Sequence, residues 1–557
     1  MTNEAIADNF SLLAKLMDIH GENSFKTKSY SSAAFTIEKL PVELSTLPEE
    51  KIFAIKGIGE AIGQKIMVQL GTGQLPQLTE YIANTPAGIL QMLSIKGIGP
   101  KKISTIWKEL EIETIGELLY ACDENRLLLY KGFGAKTQQN IKESIEFFLS
   151  NQGSYLYAQI VPYAHKATEE FQKHLPSHKI ALTGDFRRHT ETISKLEWVT
   201  TAKAAELEAY TNALDLQVVE SGNTQTLLKD SHNISLLFYH TDEAHFASTL
   251  FATSSNTEFY DAFVAATSFS MDKVYATEEE IFSSHNMAFI PPYLRERASV
   301  ITLAQQNMLP VVIVKEDIKG IIHSHSKWSD GANTVEEMAK AARDKGLEYL
   351  VLSDHSKSAF YANGLYEERI IAQHEEIDSL NAKLAPFKIF KSIESDILND
   401  GSLDYAPSVL ASFDLIIASV HSNLKMNEEK AMARVLRAIE NPYTNILGHM
   451  TGRLLLSRNG YPLDHKKIIE ACAANNVVIE LNAHPRRLDI DWRWIDYALE
   501  KNVLISIDPD AHAIEGFDDV QYGVLAAQKG GLTKAQNLSS FSLSEFEAFV
   551  KAQQAKR

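Results

Sequence analysis

Cysteine is scarce in this 557-residue chain, where only Cys122 and Cys472 occur, far apart in sequence. That rules out a disulfide framework and points to a reducing compartment. No apolar run is long enough to span a bilayer. The first residues, MTNEAIADNF, lack the basic and apolar segments of a secretion signal. Basic residues are in deficit, with 54 Lys+Arg against 72 Asp+Glu for a net charge of −18. This balance argues against a broad basic face for nucleic acid. Backbone N–H groups can still hold phosphates locally without any lysine. Together these absences predict a cytoplasmic protein with no membrane partner. What remains is ordinary globular composition, 45% hydrophobic and 23% charged, with length for three or four domains.

Three segments in the first 145 residues repeat one pattern: IKGIGEAIGQKI from Ile55, IKGIGPKKISTI from Ile95 and YKGFGAKTQQNI from Tyr130. Each sets an apolar residue between two glycines and continues with helical spacing. The pairs Gly57/Gly59, Gly97/Gly99 and Gly132/Gly134 permit a tight turn and a close backbone approach. The helix that follows aims free N–H groups over the turn. This is the helix-hairpin-helix pattern, which grips a phosphodiester backbone without reading bases. One copy is compatible with a plain helix–helix connection; three favour DNA as the partner.

The segment IIHSHSKWSD, Ile321 to Asp330, carries His323 and His325 at alternate positions with Asp330 just beyond. On a strand, residues i and i+2 share a face, and imidazole with carboxylate suits Zn, Mn or Fe. Downstream, strand-like segments (YLVLSDH, KIFKSIESDI, FDLIIASVH, TNILGHM, NVVIELNAH, VLISIDPDAH) alternate with amphipathic ones such as VEEMAKAARDKG and EEKAMARVLRAIE. This is the βα alternation of a barrel-like α/β fold. His355, Glu394, His421, His449, Asp510 and His512 stand at the carboxyl ends of those strands, where such barrels place active sites. With His323, His325 and Asp330 they form a set of nine, too many and too regularly placed for structural histidines alone.

These motifs carry a resemblance over nearly the whole chain. The first hairpin, the Thr72-Gly73 step and the two later hairpins resemble the lyase-like and fingers regions of family X DNA polymerases. In that alignment Lys65 falls where lyase members carry a Schiff-base lysine, although a solvated surface lysine is the plainer reading. Beyond Ser154 the resemblance continues through ALTGDFRRHTETISKLEWVT. There Gly184 and Arg187, with Arg188, keep a vestige of the nucleotide-binding turn, but the D-x-D positions hold Lys195 and Glu197. The later palm run HNISLLFYH has no Asp or Glu, and the F-T-G-S turn has become Ala252-Thr253-Ser254-Ser255. Magnesium needs clustered oxygens, so the polymerase centre reads as degenerate.

The C-terminal region resembles a PHP (polymerase and histidinol phosphatase) domain, and the whole arrangement resembles the bacterial PolX family. The implied fold is multidomain: an α-helical hairpin region, an α+β palm and thumb, and a distorted (β/α)7 barrel. The expected boundaries are 1–80 (lyase-like), 81–150 (fingers-like), 151–315 (degenerate palm and thumb) and 316–557 (PHP). The implied cofactors are two or three divalent ions (Mn, Zn or Fe) on the nine ligands, with a metal-bound hydroxide as the attacking group. Arg486 and Arg487, in NAHPRRLD, stand where they could clamp phosphate or serve in structural ion pairs. Asp354 and Asn482 are candidates to orient the ligands. The function implied is a metal-dependent DNA phosphodiesterase, as a 3′→5′ exonuclease or AP-site nuclease in repair. The alternatives are a gap-filling polymerase that is still active, or a phosphatase of the histidinol-phosphate type.

Overall fold

The structure, a computed structural model, describes every residue except 124–126, 128, 129, 151, 152, 212, 232, 457 and 458. It divides into two compact units, Met1–Gln152 and Gly153–Arg557. The boundary expected between 150 and 151 abuts residues outside the described set, as does residue 232, which begins the run HNISLLFYH.

The first unit is helical. Its core joins Phe10, Leu13 and Leu16 of the helix Asn3–Ile19 to Ile66, Ile103 and Ile145 from the hairpin helices. The three repeats take one geometry. Gly57, Gly97 and Gly132 have φ of 96°, 88° and 94°, a region that an L side chain enters only with strain. Gly59 and Gly99 cap the helices Glu60–Thr72 and Pro100–Lys108, and Ala135–Ser150 follows Gly134. The residue between each glycine pair, Ile58, Ile98 or Phe133, is buried and anchors its turn. Lys56, Lys96 and Lys131, each just before a positive-φ glycine, are exposed. Lys65 lies on the first hairpin's second helix with Nζ 5.9 Å from the Tyr30 ring centroid.

The second unit begins with a short antiparallel pair, β1 (Tyr155–Leu156) and β3 (Thr192–Ile193). A five-stranded sheet follows, of β2 (Ile180–Thr183), β4 (Leu196–Thr200), β5 (Leu216–Ser221), β6 (Gln225–Asp230) and β7 (Ser235–His240), in the order β2-β4-β7-β6-β5. All five residues of β4 are buried. A helical cluster around Phe251, Phe259, Phe263 and Phe282 encloses the fully buried Arg295.

The remainder is a parallel barrel of seven strands in sequential order: β8 (Gly320–Ile321), β9 (Tyr349–Leu352), β10 (Lys388–Asp396), β11 (Leu415–Ser419), β12 (Ile446–Leu447), β13 (Val478–Asn482) and β14 (Ile505–Asp508). A parallel bridge between Ser324 and Ala511 brings the first and last strands together and nearly closes it. Strands β9, β11, β13 and β14 are buried along their whole length, and β9 and β11 accordingly read as nearly continuous apolar runs. The intervening helices are amphipathic. In Val335–Asp344 a Thr334/Glu337 capping box starts the helix, and Val335, Met338, Ala339 and Ala342 face the sheet. Among the described residues no helix is long and apolar enough to cross a membrane.

One local expectation is corrected. The HxH pair is not on a strand, because β8 ends at Ile321 and His323 takes a left-handed φ of 62°. The two rings still converge, with centroids 5.2 Å apart. The convergence comes from the turn after the strand and from pairing with the Ala511 segment, not from pleat alternation.

Candidate metal centre

All nine histidines and carboxylates singled out from the sequence meet at the carboxyl end of the barrel. Three groups bring ligand atoms within 4.8 Å of one another: His325, Asp330, His355 and His512; His323, His325 and Asp510; and His355, Glu394 and His421. His449 joins through Glu394, with Nε2 3.0 Å from Oε1. Glu394 is the hub. Its Oε1 lies 3.0 Å from His421 Nε2 and 3.3 Å from His323 Nε2, while Oε2 lies 2.9 Å from His355 Nδ1. A carboxylate so placed can serve two neighbouring cations.

The chain's own hydrogen bonds leave this cluster incomplete. His323 Nε2, His325 Nδ1, His355 Nδ1, His449 Nδ1 and Glu394 Oε2 are buried and make no hydrogen bond. His355 Nδ1 and Glu394 Oε2 approach closely without hydrogen-bond geometry, as two ligands of one ion do. Buried polar atoms are otherwise almost always paired. The nitrogen, oxygen and geometric character of the set fits divalent transition metals.

Acidic neighbours fix several rings. His323 Nδ1 donates to Glu480 Oε1 at 2.5 Å, His421 Nδ1 to Asp396 Oδ1 at 2.6 Å, and His512 Nδ1 to the Asp510 carbonyl at 2.9 Å. Each contact settles the tautomer and turns Nε2 toward the centre. Burial works against charge on these rings, yet the Asp510, Glu480 and Glu394 carboxylates hold His323 well above its ordinary value. Burial likewise opposes His421 and His512, which are raised to about 10 by Glu394 and Asp396 and to about 9 by Asp330 and Asp510. His325 behaves oppositely: burial, with His512 and His355 alongside, lowers it to about 3, leaving the ring neutral with one nitrogen lone pair to offer. Asp330 is held at about 2 by His512 and His355 against the pull of burial.

Glu480 and Asp396 were missed in reading the sequence. A signal was there: Asp396 is two residues past Glu394 on one strand, and Glu480 is two before Asn482, so each pair shares a face. Asn482 Nδ2 donates to Asp510 Oδ2 at 3.1 Å, as an orienting residue should. Asp354 does different work from that expected. It accepts from Ser326 N at 2.7 Å, Ser329 Oγ at 2.6 Å and Gln373 Nε2 at 2.7 Å. It therefore secures the loop from His325 to Asp330 rather than the His355 ring. Arg487 reaches the centre, with Nε 3.6 Å from Asp510 Oδ2, while Arg486 is exposed.

The turn after β2 is differently equipped. Lys195 Nζ sits 2.8 Å from Glu197 Oε1, which also accepts from the Tyr239 hydroxyl at 2.8 Å. Gly184, at φ 64°, leaves no room for a side chain, because an added Cβ would lie 1.9 Å from Glu197 Oε2. Arg187 donates to Ser254 Oγ at 2.9 Å and pairs with Glu278, while Arg188 pairs with Asp185 and Glu296.

A parallel barrel with a histidine-rich acidic cluster at its carboxyl end, preceded by tandem helix-hairpin-helix turns, defines a PHP-type protein with a nucleic-acid-binding region. Comparison with known families agrees. Residues 1–75 match the Helix-hairpin-helix domain, 89–146 the SAM-like Helix-hairpin-helix tandem, and 322–484 the PHP domain. Over 564 aligned positions, covering 97% of both chains, the protein is 32% identical to the DNA polymerase/3'-5' exonuclease PolX of Bacillus subtilis (strain 168). The chain belongs to the PolX family. The PHP portion alone is 31% identical over 167 residues to a probable phosphatase of Acetivibrio thermocellus, covering 29% of this chain and 64% of that one. It is 28% identical over 171 residues to a probable phosphatase of Vibrio parahaemolyticus, covering 29% and 61%.

Proposed function

We propose that this protein is a metal-dependent phosphodiesterase that removes nucleotides from DNA 3′ ends, or processes AP sites, in repair. Membership of the PolX family and the PHP match support a phosphoesterase. The observation that carries the reading is the convergence of His323, His325, Asp330, His355, Glu394, His421, His449, Asp510 and His512, with buried ligand atoms left without hydrogen bonds. Two or three Mn, Zn or Fe ions would be held there. Divalent cations so bound supply Lewis acidity toward the phosphoryl group and an activated water.

The residues of the chain do the rest. Glu480, Asp396 and the Asp510 carbonyl hold the imidazoles in register. Arg487, and Arg486 at the rim, offer guanidinium groups to non-bridging phosphate oxygens. The three hairpins, with Gly57, Gly59, Gly97, Gly99, Gly132 and Gly134 at their turns, present DNA through its backbone and without sequence preference. The divisions 1–80, 81–150, 151–315 and 316–557 follow as lyase-like, fingers-like, palm-and-thumb and phosphoesterase parts.

The polymerase centre is proposed to be inactive, because the Lys195 ammonium occupies the place of a metal on Glu197. Replacing His323 and His325 together by Ala should abolish 3′-end hydrolysis and cut bound metal while the chain stays folded. Full hydrolysis by that variant would overturn the phosphoesterase assignment. Templated incorporation by the unmodified chain into a one-nucleotide gap would overturn polymerase inactivity.

A further inference from the structure

The palm keeps its fold in this chain although its carboxylate set is depleted, and its contacts with the barrel suggest what it still does. We propose that Glu191, in the palm segment that follows the vestigial nucleotide-binding turn, is a positioning residue for the phosphoesterase centre. It would act through Arg453 on the loop that carries Arg487. This rests on the phosphoesterase reading above.

Arg453 lies four residues beyond the ligand His449 and is largely buried. Its Nε donates to the Arg487 carbonyl at 3.0 Å, an Nη donates to the Leu488 carbonyl, and Nη1 meets Asp491 Oδ2 at 2.6 Å. One guanidinium therefore ties down the backbone of the arginine loop at two successive residues. Arg487 in turn reaches Asp510 Oδ2 at 3.6 Å, next to the ligand oxygens. The loop is held from its other flank too, where Leu455 N donates to the Arg486 carbonyl at 2.6 Å.

Charge balance assigns Glu191 its part. Two arginines, Arg453 and Arg493, share the single carboxylate of Asp491 within the barrel. The second negative charge comes from the palm: Glu191 Oε1 lies 3.7 Å from Arg453 Nη2 and 3.5 Å from Arg493 Nη1. Glu191 is itself 9% exposed, so the four charges form a partly desolvated network, where losing one partner leaves an uncompensated cation. Packing supports the same junction, since Tyr157, His189 and Glu191 of the palm share a crevice with Pro485 and Leu488 of the arginine loop and with Tyr522. Without Glu191, Arg453 and Arg493 compete for Asp491 alone, which loosens the hold of Arg453 on the Arg487 and Leu488 carbonyls and with it the placing of the Arg487 side chain at Asp510.

The test uses the full-length chain loaded with Mn2+ and a small diester, bis(4-nitrophenyl) phosphate, which needs no DNA grip. Glu191→Gln should lower kcat roughly five- to tenfold at unchanged metal content, and Glu191→Asp should restore most of it. In an Arg487→Ala background, Glu191→Gln should change kcat by less than about twofold, because the two residues act in series. Equal losses in both backgrounds, or no loss in the unmodified one, overturn the proposal alone. Absence of turnover by the unmodified chain overturns the phosphoesterase reading and this proposal with it.

Discussion

Glu480 offers the sharpest test of how the barrel tunes its ligands, because it touches two of them and binds nothing from outside. Its Oε1 accepts from His323 Nδ1 at 2.5 Å, and its Oε2 accepts from His449 N at 2.5 Å and from Asn482 Nδ2 at 3.3 Å. Glu480→Gln keeps the shape but offers one acceptor where two are needed. Either the His323 ring or the His449 N–H then faces an amide donor, leaving a buried donor unpaired at a cost of about 1–3 kcal/mol. Removing the negative charge also makes His323 a poorer electron donor. Loss of such a supporting carboxylate costs metal affinity about 10- to 100-fold, or roughly 1.4–2.7 kcal/mol. The assay is competitive titration of Mn2+ or Zn2+ into metal-free protein at fixed pH, beside a melting curve. A drop in melting temperature with affinity within twofold of the unmodified chain would refute the reasoning, because Glu480 would then stabilise the barrel without tuning the ligands.

Two further outcomes follow from other parts of the chain. Glu278 accepts from Arg187 at 2.5 Å and from the buried Arg295 at 2.7 Å. Burial pushes its carboxyl up, but Arg295 and Arg187 outweigh this and hold it below its ordinary 4.5. A depressed carboxyl stabilises the fold above its unfolded value and loses that contribution as pH falls through the folded one. Glu278→Gln should therefore cost about 3 kcal/mol near neutrality, and the gap in melting temperature should narrow at pH 4; a gap independent of pH would contradict the ion-pair account. At Gly132 an added Cβ meets nothing within 4 Å, but φ is 94°. Gly132→Ala should thus distort the turn at a cost of about 1–2 kcal/mol and weaken duplex binding severalfold at low salt by fluorescence anisotropy. Unchanged binding would remove the third hairpin from the DNA surface.

What was legible in the sequence depended on whether chemistry and periodicity coincided. The candidate ligands could be read because most of them follow an apolar run, and a parallel barrel puts such ends on one rim. The hairpins could be read because Gly57, Gly97 and Gly132 are needed for a positive φ and recur in the same frame. His323 meets its expected neighbours for a different reason, since a turn, not a pleat, aims its ring. Asp354 adjoins His355 in sequence, yet in the loop after β9 its carboxylate faces the Ser326–Ser329 loop. Glu191, Arg453 and Arg493 form a network between residues up to 302 positions apart. No local pattern marks such a contact, because it arises from how the palm seats on the barrel.

The two acidic sites of this chain differ in what the protein has already done with its carboxylates. Around β4 and the turn after β2, Glu197 is taken by Lys195 and Tyr239, and Asp185 by Arg188. A divalent cation would have to displace an ammonium group and would find no further acid on β7, whose residues are SLLFYH. In the barrel, Glu394 and Asp510 face imidazoles instead of lysines, and five buried ligand atoms remain unpaired. A metal can displace a proton from an imidazole and take its place among the carboxylates, whereas beside Glu197 it would have to displace a whole ammonium side chain. Lys195 thus supplies, beside Glu197, the kind of positive charge that a cation would bring.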